Sequence, residues 1–169
     1  MSKSLPQRWD LERFFPDGSA SASFAAFLSD LARDVEAFRT RVQAVTAPRP
    51  GEGPGGWPDL ITRWQDLQQR LQEAASFSRC LTAQDTSDAA ARSLLARVRA
   101  VGAALEAALS RLEAQLAVFS DEAWQGLLAD PAVAPVAFAL DERRRLAREK
   151  MPPDREALAV ELAVDGYHG

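Results

Sequence analysis

The sequence predicts an all-α fold: an antiparallel bundle of three long helices followed by shorter ones, with an extended leader in front. Three observations carry that prediction. Alanine, the residue of highest helix propensity, is abundant, and Ile61 is the only isoleucine. Over 85–119, Leu95, Val98, Leu105, Leu109, Leu112, Leu116 and Phe119 recur at gaps of three, four or, across Gly102, seven residues, the period of one helical face. Two earlier stretches, 24–45 and 60–81, repeat that period.

Hydrophobic residues make up 47% of the 169 and charged ones 26%, a globular balance that suits one domain, or one domain with an appendage. The net charge of −4 supplies no global field that would draw in nucleic acid or an anionic membrane. Cys80 stands alone, so an intrachain disulfide and a thiolate metal cluster are both excluded. Residues 1–16 hold no apolar signal-peptide core, and no apolar run approaches the ~18 residues of a membrane span. The expected compartment is the cytoplasm.

In chain order, the leader over 1–20 carries Trp9, Leu11, Phe14 and Phe15, too apolar to stay uncovered, and Asp17-Gly18-Ser19 reads as a turn. The leader is expected to lie on the helices. From Ser21 to about Thr46, Phe24, Phe27/Leu28, Leu31, Val35, Phe38, Val42 and Val45 form a narrow seam of the kind that antiparallel bundles use. Pro48 and Pro50 end that helix.

Arg49 to Pro58 holds Gly51, Gly53, Pro54, Gly55 and Gly56. A phosphate-cradling loop needs a strand in front and a helix directly behind; no strand precedes, so the glycines read as a flexible inter-helix connection. The second helix starts near Pro58. Its Leu60, Trp64, Leu67, Leu71, Ala74, Ser78 and Leu81 face inward, with Gln68, Gln69, Arg70, Gln72 and Glu73 on the wet side. Ala83 and Gln84 give a short connection, so the second and third helices form an antiparallel hairpin. In the third, Asp85, Thr86, Ser87 and Asp88 offer N-cap chemistry, and Leu94, Val101 and Ala108 widen the stripe towards a second neighbour. The three long helices together fill 21–119.

The remainder, 120–169, reads as short helices. Ser120-Asp121-Glu122 caps one with Trp124, Leu127 and Leu128, and Asp130-Pro131 stops it. A helix from Pro135 covers Val136, Phe138, Leu140 and Leu146 and ends before Met151-Pro152-Pro153. A last helix from Pro153-Asp154 runs through Leu158, Leu162 and Val164 to Gly166, an ending that reads as a junction.

Chemistry is constrained mainly by exclusion. His168 is the single histidine and the penultimate residue, so a Ser-His-Asp arrangement would rest on a fraying end. A zinc motif of the H-E-x-x-H type needs two histidines, and a dinuclear carboxylate site needs Glu-x-x-His pairs; neither exists here. Cys80, beside Phe77 and Leu81, reads as a buried small hydrophobe, with no neighbour in sequence to activate it. Trp9, Trp57, Trp64 and Trp124 fall in four segments and read as packing anchors. The run Arg143, Arg144, Arg145, Arg148 and Lys150 is interleaved with Asp141, Glu142 and Glu149. It reads as a solvated, salt-bridged face, with a patch for an acidic partner, for nucleic acid, or for another part of a larger polypeptide as the alternatives.

Two stretches resemble a known family. Leu5-Pro6-Gln7-Arg8-Trp9-Asp10-Leu11 with Phe14-Phe15, then Phe24 and Leu28-Ser29-Asp30-Leu31, resembles the amino-terminal opening of oligoendopeptidase F. Phe119-Ser120-Asp121-Glu122-Ala123-Trp124 through Leu140, with Met151-Pro152-Pro153 and Glu156 to Gly169, is similar to the segment where that family's helical front domain enters its catalytic domain. The resemblance implies a set of long helices that forms one wall of a channel for short peptides. It implies a zinc ion held by two histidines and a glutamate in a later part of the chain, with the motif's own glutamate as general base. No position in 1–169 matches that motif, so no catalytic, cofactor-binding or metal-ligating residue is expected here. The expected partners are the protein's own carboxy-terminal catalytic domain and, through it, short peptides, but no nucleic acid and no membrane. Apolar surface left bare by the separated catalytic domain would favour self-association. A different class of reading stays open: a free-standing helical scaffold that dimerises through the seams of its three long helices. A minor one is an adaptor that binds a partner through the face over 143–148.

Overall fold

The computed structural model describes residues 10–149. It is all-helical among those residues, with three long helices, α1 (Ala22–Ala44), α2 (Trp57–Gln84) and α3 (Ala89–Ala117), and two shorter ones, α4 (Asp121–Leu128) and α5 (Ala137–Glu149). Single 3-10 turns lie at Leu11–Arg13, Gly18–Ala20 and Ala134–Val136.

Each long helix starts where its local chemistry allows. The Ser21 hydroxyl accepts the Phe24 N–H and opens α1. Pro58 sits in the first turn of α2, where its missing N–H costs nothing. Asp88 accepts the Ala91 N–H and opens α3. The connection between α2 and α3 is thus residues 85–88 rather than Ala83 and Gln84. Asp85 folds it into a turn by accepting both the backbone N–H (2.8 Å) and the hydroxyl (2.6 Å) of Ser87.

The seams face one another. Phe24, Leu28, Leu31, Val35, Phe38 and Val42 of α1 are buried together with Leu60, Ile61, Leu67, Ala74, Phe77 and Leu81 of α2 and the α3 stripe. Ser78, on the inward face of α2, is fully buried because its hydroxyl donates to the Ala74 carbonyl at 2.8 Å. In α3, Leu94 is buried and Leu95 only half-buried, an exchange of roles at the start of the stripe. The inward line there runs Ala91, Leu94, Val98, a step of three that the spacing from Leu95 does not reveal. Gly102 sits where α3 meets α2: a Cβ on it would lie 3.6 Å from a Leu71 methyl.

The described part of the leader is coiled onto the bundle. Leu11 and Phe15 are buried, and Phe15 stacks edge-on against Phe24 (5.0 Å) and Phe77 (4.9 Å), tying α1 to α2 at that end. Phe14 stays exposed. The turn at Asp17 and Gly18 takes positive φ at both positions, and the Asp17 N–H donates to the Glu12 carboxylate. Trp9 lies outside the described residues. The glycine-bearing connection between α1 and α2 is anchored at both ends: the Ala47 N–H donates to the Gln115 side chain (3.0 Å) and the Trp57 indole to the Thr46 carbonyl (3.3 Å).

At the opposite end, α4 follows α3, and α5 returns along α3. The Trp124 indole donates to Asp141 at 2.8 Å, and Asp121 meets Arg144, so the two helices pair antiparallel. Leu140 is the buried apolar residue of α5, whereas Phe138 and Leu146 are exposed. The helix expected over 153–166, together with Tyr167, His168 and the junction, lies outside the described residues.

Candidate functional site

Alpha-helix α5 packs on α3 and stands off from α2, which leaves a groove of about 560 Å³ between α2 and α5. One wall is a row of carboxamides, Gln65, Gln68 and Gln72, which the one-turn spacing of α2 sets side by side. The other is small and apolar, Val136, Ala139 and Leu140. Trp64 forms the floor. It is 9% exposed, and its indole N–H is buried with no acceptor among the described residues. Arg143 closes one end: its guanidinium lies 4.7 Å from the Trp64 ring centroid and pairs with Glu113 at 2.6 Å. Amides, an indole and apolar walls can hold an extended or helical polypeptide. They offer no nucleophile and no general base.

The basic run is not one face. Arg145 behaves as the sequence suggests, bridging Glu142 and Glu149 in water. Arg144, however, is 5% exposed. Its guanidinium stacks on Trp124 (4.8 Å), donates to the Phe119 carbonyl at 2.7 Å and reaches Asp121 at 2.9 Å. Arg148 donates to the carbonyls of Ala117 and Phe119. Arg148 therefore caps the carboxy-terminal end of α3 at the Ala117 carbonyl, and both arginines hold the Phe119 carbonyl in the connection that follows and Asp121 at the start of α4. That pairing, led by the Arg144 hydrogen bond, holds the Asp121 carboxyl below its ordinary value. The expectation of a solvated, salt-bridged face holds for Arg143, exposed and paired with Glu113, and for Arg145; it is corrected for Arg144, and Lys150 lies outside the described residues. A signal was present: Arg144 follows Leu140 by four residues and so shares its buried side.

The tryptophans within the described residues are packing anchors: Trp57 meets Phe119 edge-on at 4.8 Å, and Phe119 meets Trp124 at 5.9 Å. Cys80 is half-buried beside Phe77 in a small apolar recess with Leu11 and Phe15. Among the described residues, no three or more His, Cys, Asp or Glu side chains come together in a way that could hold a metal ion, and His168 is the only histidine in the chain. The donors present do not fit zinc. Also among the described residues, no helix is long and apolar enough to cross a membrane.

No curated protein and no solved structure matches the chain. Residues 115–169, from the last turn of α3 through α4 and α5 to the end, match the family model described as Oligopeptidase F, the family that the sequence resembles.

Proposed function

We propose that this chain is a non-catalytic amino-terminal part of an oligopeptidase F-like zinc metallopeptidase and forms part of the wall of its peptide channel. The observation that carries the reading is the family match over 115–169, on the segment that the resemblance places before the catalytic domain. The donor inventory supports it as well, since one histidine cannot build a two-histidine zinc site. On this reading, zinc and the general base come from a later domain, which is the main partner, and short peptides reach the wall only in the whole enzyme. The chain alone takes up no zinc stoichiometrically and cleaves no peptide, and it resides in the cytoplasm.

The scaffold reading needs the seams of α1–α3 as a dimer surface. Those seams are buried against one another within a single chain, which leaves that reading without its surface. Reading the coding sequence beyond the Gly169 codon is the deciding experiment. An in-frame H-E-x-x-H is expected, and a stop codon in its place would overturn the proposal.

A further inference from the structure

We propose that the outer face of α3 binds the same face of a second copy of this chain, with the two helices antiparallel. The inference is independent of the peptidase reading and concerns the side of α3 opposite its buried seam. Along that side Arg92, Arg99, Glu106 and Glu113 stand seven residues apart, at one position of successive heptads. The row reads basic, basic, acidic, acidic, so turned end for end it meets its own opposite. About a two-fold axis crossing α3 between Val101 and Gly102, Arg99 faces the partner's Glu106 and Arg92 faces the partner's Glu113. Arg99 and Glu106 are exposed, have no ion-pair partner among the described residues, and carry the pairing. The outer two already have contacts within the chain: Arg92 donates to the Thr86 carbonyl at 2.6 Å, and Glu113 binds Arg143 at 2.6 Å.

Nothing on that face holds two helices apart. Beside the charged row, from Ala89 to Ala114, the positions that alternate by four and three are all alanine or serine, and all are exposed. Alanines on an exposed helix are ordinary when taken alone, since they favour the helix itself. What selects a second copy is that the register set by the charges also fits these positions. Ala100 meets the partner's Ala103, Ala96 meets the partner's Ala107, and Ser93 meets the partner's Ser110. With side chains this short, two helices approach to the close end of the usual range of about 8–10 Å. On the far flank, Arg97 and Arg111 meet the partner's Ala104 and the partner's Ala90, so no like charges come together. A parallel pair is disfavoured, because it sets Arg92 against the partner's Arg97. The apolar area on such a face is small, so the dimer is weak and charge sets its orientation.

The test uses the full chain, in sedimentation equilibrium at low salt from micromolar to millimolar protein. A monomer–dimer equilibrium is expected, and a chain that stays monomeric at millimolar concentration overturns the proposal. Glu106→Arg and Arg99→Glu each turn both inner pairs into like-charge contacts, and each is expected to weaken the dimer at least ten-fold. The double exchange, Arg99→Glu with Glu106→Arg, should restore it to within about three-fold of the unsubstituted chain. Unchanged dimerisation in the single variants, or no recovery in the double one, overturns the proposal. Orientation is read in a Cys80→Ser background by mixing Ala96→Cys with Ala107→Cys under mild oxidation. The antiparallel register places 96 beside 107 and sets like positions about 16 Å apart along the helix. Mixed disulfide dimers are therefore expected to exceed like-with-like dimers at least ten-fold. A smaller excess, or a preponderance of like-with-like dimers, overturns the proposal.

Discussion

Arg144 shows how much one side chain can do at the end of a helix. It lies among Trp124, the Phe119 carbonyl and Asp121, and two of its three contacts are charge-assisted. Charge-assisted bonds contribute about 1.5–3 kcal/mol each, but the buried Nε of Arg144 has no acceptor, and Arg148 also serves the Phe119 carbonyl. These opposing effects place Arg144→Met at a net loss of about 1–2 kcal/mol, read as a lower urea midpoint. Arg144→Lys should recover less than half of it, because an ammonium cannot stack flat on the indole while donating in two directions. An unchanged midpoint for Arg144→Met would show that these contacts are redundant.

Among the elements, α3 is the one both others need, and its single glycine is its weak point. Gly102 has ordinary helical φ, and a Cβ there would meet Leu71 at 3.6 Å, a normal van der Waals separation. Gly102→Ala therefore removes the entropic penalty of glycine without a clash, and it should stabilise the chain by about 0.5–1 kcal/mol in chemical denaturation. A decrease would mean that α2 and α3 pack closer at Leu71 than the geometry indicates.

For the whole molecule, the ion pairs that cross between helices set the response to acid. Asp34 of α1 meets Arg70 (2.7 Å) and Arg63 (3.0 Å) of α2. The Arg70 hydrogen bond holds its carboxyl below the ordinary value, against the opposing effect of burial. A carboxyl depressed in the folded state contributes stability that is complete above its unfolded value of about 3.9 and is lost as pH falls through the folded value. Asp121 is lowered by Arg144 in the same way, and Asp85 and Asp88 by hydrogen bonds from Ser87 and Ser19, so stability should fall below about pH 4. Asp34→Asn should lower the urea midpoint at pH 7 and flatten its fall between pH 4 and pH 2. An undiminished slope would assign the acid response to the other carboxylates.

The helical class, the three seams and the caps at Asp88 and Ser120 were legible in the sequence, because helix period and N-cap chemistry are local. So was the lack of a two-histidine metal motif, which is a matter of composition. The role of Arg144 was only half legible: its step of four from Leu140 gave the buried side but not the Trp124 ring and Phe119 carbonyl it meets there. A run of arginines among acids has the same composition whether it faces water or the end of a neighbouring helix, and only the return of α5 along α3 decides which. The groove has the same origin: Gln68 and Gln72 read as part of a wet face of α2, and with Gln65 they became a wall only when α5 settled beside them on α3. Periodicity states which side of a helix is apolar; which partner meets it, and where two helices leave a gap, is decided by packing between residues far apart in the chain.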